Sequence, residues 1–377
     1  MINKQDDGTK IQLQGRGIIK VAQDVHARSI VSCVQEEGQQ PKAPRRAEPE
    51  VHLQRMRQWA SHSRKVYSCY EAGPTGFALH RALSQMGVEN VVVAPVRLDE
   101  SGKGVNNDQT DTLSLAARLD RYVAGNRKIF TVVRVPTIEE ENRRICTRQL
   151  QQMQKHKQSM ASQGRSLVLT RGWVIGQDWW QEGKWEVWKG KLNQELLEHL
   201  EIWRGLIGEV QKAIEQIERR ILARSQSHKE ARPKWAGELS LERIESEVCS
   251  WDRFSSWRKA GGYTGLTGGV SASGEYHREL SITKRGNRRL RTALIEMAWR
   301  MARNQPGYWL SKKWASVVGP GAKSHRRARK KAIVAYARGL FVDLWKWKTR
   351  RITAQELGWE MVQPSPEQRE RAVVGGL

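Results

Sequence analysis

The chain has 377 residues, 38% of them hydrophobic, and its 65 Lys and Arg against 40 Asp and Glu leave a formal charge of +25. This length predicts more than one domain, and the apolar content excludes a disordered chain. The apolar runs are shorter than the roughly 20 residues of a membrane span, and the polar start MINKQDDGTK lacks a signal-peptide core, so we expect a cytoplasmic protein. The positive charge favours a nucleic acid partner. Four scattered cysteines without a CxxC pair argue against a zinc ribbon or a disulfide framework.

The amino-terminal part predicts a hairpin that follows a polar arm. Residues 1–16 are polar and show no periodicity, so we expect them to be disordered. Two β-rich runs, 18–22 and 29–34, are joined by a short polar segment. This pattern places Asp24 at the turn of the hairpin.

The next segment predicts a βαβ unit. A helical pattern leads into the strand 66–70, and Glu71 stands at the carboxyl end of that strand. A glycine-containing break, a helix with apolar spacing and a buried strand over 88–98 follow. A helix is then predicted over 106–125. Strand, turn, helix and strand together indicate a mixed sheet in an α/β domain.

Four carboxylates of this domain are candidates for a metal site: Asp24, Glu71, Asp108 and Asp111. The last two are three residues apart in the first turn of a helix, so both leave on one face. Phosphoryl transfer uses divalent ions held by oxygen ligands, which suits Mg²⁺ or Mn²⁺. Each acid also has an ordinary explanation as a turn residue, a cap or a first-turn acid. Asp99, in a loop, and Asp120, in mid-helix, are competitors, so the hypothesis depends on the combination.

The pattern changes after Pro136. Thr137 and Glu140 form a capping box that opens a long polar helix through about Met160. A tryptophan-rich segment over 172–190 follows. Its tryptophans are candidates for stacking on unpaired bases, although packing in a core is the stronger explanation; they include Trp179, Trp180, Trp185 and Trp188.

A heptad seam follows, with apolar residues spaced alternately by four and three. Its members are Leu196, Leu200, Trp203, Ile207, Val210, Ile214, Ile217 and Ile221. The seam predicts either a coiled coil between chains or a helical hairpin packed against the preceding long helix. Gly205 and Gly208 each cost about 1 kcal/mol of helix stability relative to Ala, which favours a packed context.

The carboxyl-terminal part predicts two short helices, over 237–248 and 256–265, and a longer helix over about 288–303. Residues 322–351 hold eleven Lys and Arg and one acid, yet keep an apolar stripe. They predict a basic amphipathic helix. The members of the stripe are Ile333, Ala337, Leu340 and Leu344.

The stretch GLTGGVSASGEYHRELSITKRGNRRLR, residues 265–291, joins a Gly- and Ser-rich loop to a run of arginines. The loop is either a flexible linker or the site of a serine nucleophile, with Ser271 and Ser273 as contenders; His277 is close but fits a surface position better. The basic residues are either phosphate-binding or a solvated helix face. The predicted nucleic-acid-binding residues are Lys284, Arg285, Arg288, Arg289, Arg291, Arg326, Arg327, Lys330 and Lys331.

Four motifs occur in order along the chain: QDVHARS, YEAGPTG, NNDQTDTLSLA and YTGLTGGVSASGEYHRELSITKRGNRRLRTALIEMAWR. In this order they resemble the DEDD transposases of bacterial insertion sequences, a family described as bridge-RNA-guided recombinases. The resemblance implies a RuvC-like, ribonuclease-H-like domain over 17–135, a helical coiled-coil spacer over 136–229, a mostly helical transposase domain over 230–350 and a tail over 351–377.

The resemblance also assigns roles to residues. Asp24, Glu71, Asp108 and Asp111 match the DEDD metal ligands, and Ser273, directly before Gly274, matches the nucleophilic serine. The chain departs from the family pattern where a basic residue, an alanine and a proline are usual. These departures are Asn106 and Asn107, Thr112, and Gly268.

The function implied by the resemblance is metal-dependent DNA strand exchange through a phosphoserine intermediate. Double-stranded donor and target DNA would be the substrates, a structured element-encoded RNA would guide them, and the enzyme would act at the nucleoid. A dimer or tetramer would form composite sites, carboxylates of one subunit meeting Ser273 of another. Two alternatives stay open: a metal-dependent junction resolvase or nuclease without serine chemistry, and a non-catalytic nucleic-acid-binding protein.

Overall fold

The computed structural model describes residues 16–95, 108–225, 231–273 and 276–363; the side chains of residues 16, 270–273, 276, 277 and 279 are outside this description. The predicted arm and the acid Asp99 therefore lie outside the described residues, as do Asn106 and Asn107. The chain divides into two compact units, residues 1–135 and 136–377. The described residues form helices and a mixed sheet, so the predicted α/β class is confirmed. Among them, no helix combines the length and the apolar character needed to cross a bilayer.

The first unit is built on a five-stranded mixed sheet. Its strands are β1 (Arg16–Val25), β2 (Ile30–Glu36), β3 (Arg45–Ala47), β4 (Ser63–Glu71) and β5 (Glu89–Val93). Their order is β3-β2-β1-β4-β5, with β1 antiparallel to β2 and parallel to β4. Strand β5 continues the parallel part beside β4. The carboxyl ends of the three parallel strands β1, β4 and β5 therefore meet at one edge of the sheet.

Helices cover both faces of this sheet. They are α1 (Pro49–His62), α2 (Ala78–Gln85) and α3 (Asp108–Val123). Because side chains alternate along a strand, Ile19 and Val21 of β1 pack in the core beneath α1 and α2, while Ala22 packs in the core beneath α3. The result is a three-layer unit, with the start of α3 near the edge where β1 ends.

The predicted hairpin is present, but Asp24 does not lie in its turn. Strand β1 continues through Val25, and Asp24 pairs in register with Val31 of β2. The strand extends through polar residues because Gln23, although fully buried, has a partner: its Oε1 lies 3.0 Å from Nε2 of His52 on α1. The placement of Asp24 at a turn was therefore wrong, and this residue belongs to the end of a strand.

The second unit begins with two long helices. The helices of this part are α4 (Ile138–Leu169), α5 (Glu182–Lys189) and α6 (Gln194–Arg224). The capping box of Thr137 and Glu140 is confirmed, and α4 runs on beyond Met160. The heptad seam of α6 packs against α4 within the same chain, where Ile214 and Ile217 contact Leu150. The structure thus shows a helical hairpin within one chain, which is one of the two alternatives that the seam predicted.

Two of the four tryptophans considered for base stacking are core residues. Trp179 and Trp185 are fully buried among α4, α5 and α6, and Trp179 donates its Nε1–H to the carbonyl of Ala161. Trp180 and Trp188 pack partly against the same core. Burial of the indole faces confirms the core explanation for Trp179 and Trp185.

The rest of the second unit is mostly helical. Its elements are β6 (Arg232–Pro233), α7 (Glu238–Val248), α8 (Trp257–Tyr263), β7 (Gly268–Ser273), β8 (Tyr276–Ile282), α9 (Arg288–Asn304), α10 (Trp309–Val318), α11 (Arg326–Lys348) and β9 (Met361–Val362). The predicted apolar stripe of α11 is buried in the central core, which confirms the amphipathic helix. Trp359, which follows α11, is also buried there, and β9 pairs with β6.

The glycine- and serine-rich stretch forms a β-hairpin. Strands β7 and β8 are antiparallel, with Ala272 opposite His277 and Ser273 opposite Tyr276. An irregularity lies between Gly268 and Val270 near the base of the hairpin. Because residues 268–273 pair with residues 276–282, these parts of the segment are strands and not an unpaired linker; whether the segment carries chemistry stays a prediction.

Candidate active site

A cluster of charged side chains lies where β1 ends and α3 begins. His26 Nε2 is 3.2 Å from Oδ2 of Asp24 and 3.4 Å from Oδ2 of Asp108. One ligand atom from each of these three residues lies within 4.8 Å of the other two. All three side chains are partly exposed, so the group is accessible from solvent. The structure therefore brings together two of the four predicted carboxylates.

Arg46 on β3 borders this cluster. Its Nη2 donates to Oδ2 of Asp108 at 2.6 Å, and its Nη1 donates to the hydroxyl of Ser29 at 2.9 Å. Strand β3 is held beside β2, which carries the guanidinium to the edge of the sheet. Asp108 is thus shared between an imidazole and a guanidinium.

Glu71 lies on the neighbouring strand. Gln23 of β1 is opposite Tyr70 of β4, so Asp24 and Glu71 follow side by side at the ends of two parallel strands. Asp24, His26 and Glu71 line one cleft of about 850 Å³, together with residues of the YEAGPTG motif. Clefts outside the carboxyl ends of strands are where open α/β sheets bind ligands.

Two of the four predicted carboxylates, Asp24 and Asp108, belong to the group with His26, and a shared site of all four stays a prediction. Glu71 lines the cleft, and Asp111 is partly buried one turn after Asp108 on α3; neither belongs to the 4.8 Å group of Asp24, His26 and Asp108. His26 was missed from the sequence. Its signal was the spacing of two residues after Asp24 in QDVHARS, because alternate residues of extended chain face the same way.

The donor set of this cluster suits a divalent cation. Carboxylate oxygens are the ligands that Mg²⁺ and Mn²⁺ prefer, and a neutral imidazole suits the transition ions better than Mg²⁺. The three ligand atoms are close enough to share one ion. Asp24, His26 and Asp108 therefore fit the predicted cofactor.

In the second unit, the β7–β8 hairpin carries the predicted nucleophile. The backbone places Ser273 at the end of β7, next to the tip of the hairpin. The side chains of Ser271, Ser273 and His277 lie outside the described part of the chain, so the choice between the two serines stays a prediction. The backbone alone separates them: Ser273 ends its strand, and Ser271 lies within it opposite Arg278.

Two glycines hold the base of this hairpin against the start of α9. Gly265 and Gly286 both have positive φ, 65° and 140°. A Cβ on Gly286 would lie 2.4 Å from the carbonyl oxygen of Tyr263, a distance that no side chain tolerates. The amide of Lys284 donates to the Gly265 carbonyl at 3.1 Å. The GLTGG and KRGN motifs therefore pair with each other through their backbones.

The predicted phosphate-binding residues fall into two groups. Eight are exposed on the segment before α9, on its first turn and on the first turns of α11: Lys284, Arg285, Arg288, Arg289, Arg326, Arg327, Lys330 and Lys331. Arg291 is different, because its Nη1 donates to the carbonyls of Thr264 at 3.2 Å and Lys284 at 3.3 Å. Burial, and then the charge of Arg288, lower the pKa of Arg291. Arg291 thus fastens the loop.

A buried carboxylate that sequence reasoning missed joins α4 to the start of α9. Glu247 of α7 is 2% exposed and accepts from Nε and Nη2 of Arg148 on α4, both at 2.8 Å. Nδ2 of Asn287 donates to it at 2.6 Å. Burial alone would raise the pKa of Glu247, but the hydrogen bonds from Arg148 and Asn287 outweigh burial and lower it. Asn287 also caps α9, since its Oδ1 accepts from the amides of Arg289 and Leu290.

Comparisons with known proteins identify the class of this chain. Residues 236–315, which include α7, α8, the β7–β8 hairpin and α9, match the family described as "Transposase IS116/IS110/IS902 family". A Sinorhizobium fredii protein named "Putative transposase y4rJ" is 30% identical over 306 residues, 74% of this chain and 75% of that protein. A second one, "Putative transposase y4qE", is 30% identical over 251 residues, 62% of this chain and 58% of its own length.

The class is thus that of the transposases of insertion sequences. The chain belongs to the IS116/IS110/IS902 family of transposases. This membership confirms the resemblance that the four ordered motifs indicated.

Proposed function

We propose that the chain is a DNA recombinase that moves an insertion sequence by metal-dependent strand exchange, with Ser273 as the nucleophile. The observation that carries this proposal is the convergence of Asp24, His26 and Asp108 at one end of a mixed sheet, with Glu71 in the same cleft. Family membership supplies DNA as the substrate.

The topology of the first unit supports a RuvC-like, ribonuclease-H-like fold. Strand order β3-β2-β1-β4-β5, with an antiparallel meander β1 to β3 and a parallel extension through β4 and β5, is the arrangement expected of that fold. In such a sheet the end of β1 faces the start of the last helix of the unit. Asp24 and Asp108 occupy these two positions.

Asp24, His26 and Asp108 would hold Mg²⁺ or Mn²⁺, with Glu71 and Asp111 as further oxygen ligands. The bound ion would supply positive charge to a phosphate that is being substituted. Arg46 competes for Asp108 and keeps this carboxylate oriented. The cleft beside Glu71 has a volume of about 850 Å³ and would receive the phosphate that reacts.

The serine step exchanges one ester for another. The Ser273 hydroxyl oxygen attacks the phosphorus of a DNA phosphodiester, and the bond from phosphorus to the leaving sugar oxygen breaks. The proton that the serine hydroxyl loses is passed, through solvent, to the leaving oxygen, so the step is balanced. The phosphoserine keeps the ester bond, so the hydroxyl of another strand can attack it and release Ser273 without ATP. Lys284, Arg285 and Arg288 are exposed near the base of the hairpin and would bind backbone phosphates of the DNA that flank the reacting one.

The remaining parts of the proposal rest on the family resemblance. A structured RNA encoded by the element would select donor and target DNA, and a homodimer or homotetramer would carry out the exchange. The excess of basic residues, a formal +25, is consistent with binding two nucleic acids.

The test is the formation of a covalent protein–DNA adduct. The full chain is incubated with RNA transcribed from the flanking element, Mn²⁺ and paired DNA substrates, and products are separated under denaturing conditions. Ser273→Ala should abolish the adduct, and Asp108→Asn should abolish both adduct and cleavage. Matched controls, Ser162→Ala on α4 and Glu89→Gln at the start of β5, should retain both, because Ser162 is exposed and Glu89 lies at the opposite end of the parallel strands from Glu71.

Two outcomes would contradict the proposal in different ways. If the DNA is cleaved without an adduct, and Ser273→Ala does not affect this cleavage, the chain is a nuclease or junction resolvase. DNA transactions that are unchanged in Asp108→Asn would identify a nucleic-acid-binding protein without catalysis.

A further inference from the structure

The second unit has a wide cleft of its own, which is lined by residues of that unit. Its volume is about 1150 Å³, and its walls come from α8, the base of the β7–β8 hairpin, α10 and α11. Its lining combines indole rings with cations. Examples are Trp257, Trp309, Lys313, Arg327, Lys330 and Arg338.

Trp309 is exposed and held rigidly at the same time. Its side chain is 45% exposed, yet its Nε1–H donates to Oδ2 of Asp343 at 2.7 Å. Asp343 is 4% exposed and also accepts from the hydroxyl of Tyr308 at 2.6 Å. The polar edge of the indole is therefore fixed to a buried carboxylate while much of the ring surface stays open to the cleft.

Trp257 supplies a second exposed ring in this cleft. It is 44% exposed at the start of α8, and the guanidinium of Arg258 lies 4.7 Å from its ring centroid. Large exposed aromatic side chains that share one cleft mark a binding surface more often than isolated ones do. Two open indoles beside cations match the stacking surfaces that hold unpaired bases.

The charge of the cleft points to an anionic ligand. Asp343 is the one acidic residue among the described residues that line the cleft, and its carboxylate already accepts hydrogen bonds from Tyr308 and Trp309. Lys313, Arg327 and Lys330 carry exposed positive charge. Arg338 of α11 adds a further cation to the lining.

We infer that this cleft binds an unpaired nucleotide of the DNA strand under exchange. The base stacks on Trp309 or Trp257, and the phosphates contact the cations of α10 and α11. This inference rests on the proposed function, because it places the strand next to the hairpin that carries Ser273. Gly268 lines the cleft and Ser273 ends the same strand, roughly 15 Å further along it.

Binding of fluorescein-labelled oligonucleotides to the full chain tests this inference by anisotropy, without divalent metal. The probes are a single-stranded DNA, the RNA of the same sequence and the DNA duplex. Trp309→Leu and Trp257→Leu should each weaken single-stranded DNA binding about tenfold and leave duplex binding unchanged. Trp299→Leu, a control at a partly buried indole of α9 that does not line the cleft, should bind all probes as the wild type does.

The outcomes separate the alternatives. Wild-type affinity for single-stranded DNA in Trp257→Leu and in folded Trp309→Leu would overturn the inference, as would a loss confined to the RNA probe. If Trp309→Leu unfolds because Asp343 loses a hydrogen-bond donor, the affinity of Trp257→Leu for single-stranded DNA decides whether the inference holds. The anisotropy assay needs neither Ser273 nor a metal ion, so its result can be interpreted even if no covalent adduct forms in the recombination test. Likewise, a negative anisotropy result does not affect the interpretation of the adduct test.

Discussion

Asp24 and Asp108 meet at one imidazole, although one ends the first strand of the chain and the other begins α3. His26 Nε2 lies 3.2 Å from the first carboxylate and 3.4 Å from the second. The parallel pairing of β1 with β4 adds Glu71 to the same cleft. This relationship links the strand order of the unit to a site that suits a divalent ion.

Arg46→Gln should tighten Mn²⁺ binding by about two- to fivefold, as measured by isothermal titration calorimetry. Arg46 lies 2.6 Å from Asp108 and competes with a metal for that carboxylate, but both groups are partly exposed and water screens the effect. Arg64→Gln is the matched control, since Arg64 pairs with Glu37 elsewhere on the sheet and should leave the affinity unchanged. Weaker binding in Arg46→Gln would show that Arg46 orients the carboxylate more than it competes.

Gly286→Ala and Gly205→Ala should change the stability of the second unit in opposite directions. At Gly286 a Cβ meets the Tyr263 carbonyl and φ is 140°, so we expect a loss of about 3 kcal/mol. At Gly205 on α6 a Cβ has open space, so alanine should add up to about 1 kcal/mol. Urea denaturation measures both. Equal stability of Gly286→Ala and the wild type would refute the pairing of the two glycine motifs.

Glu247→Gln should destabilise the second unit by about 2–3 kcal/mol in the same measurement. Glutamine keeps the size of the side chain but leaves the Arg148 guanidinium without its buried counter-charge. Glu209→Gln, which breaks an exposed pair with Lys212 on α6, should leave the stability nearly unchanged, because water screens the two charges. Similar losses in the two variants would mean that the Arg148–Glu247 pair contributes no more than a surface ion pair.

The first unit should lose stability as the pH falls below about 6.5, the ordinary pKa of histidine. Burial, and then the charge of Arg55, lower the pKa of His52 to about 4 in the folded state. Between these values the unfolded chain binds a proton that the folded chain does not, so unfolding is favoured by about 2 kcal/mol at pH 5. Urea denaturation at pH 7, 6 and 5 should show this pH-dependent decrease in the free energy of unfolding in the wild type and not in His52→Gln. An identical pH dependence in the two proteins would contradict the assignment.

Much of the local structure follows from short-range patterns. The capping box at Thr137 starts α4, the a/d spacing produces α6, and the apolar stripe of α11 is buried. These features are local because a helix terminus or face depends on residues within a few positions of each other. The ordered motifs likewise identified the transposase family before any tertiary contact was known.

Other features depend on contacts between distant segments. Asp24 belongs to strand β1, where the neighbouring Gln23 is buried beside His52 of α1, a contact that the sequence does not reveal. The β7–β8 hairpin forms from a segment whose Gly- and Ser-rich composition resembles a linker, so only the pairing of its two strands identifies it. Glu247 and Trp309 have no unusual neighbours in the sequence, and His26 has only its spacing of two residues from Asp24. Their roles arise from the groups that the fold brings to them: two carboxylates, an arginine with an asparagine, and a buried acid.

The amino-acid sequence alone therefore determines the helices, the excess of positive charge and the family, because these follow from periodicity, composition and the order of motifs. Tertiary structure decides which acids lie beside one imidazole, which arginine fastens a loop and which tryptophans stay exposed. Those properties depend on distances and burial between residues far apart in the chain, and no short-range pattern encodes them.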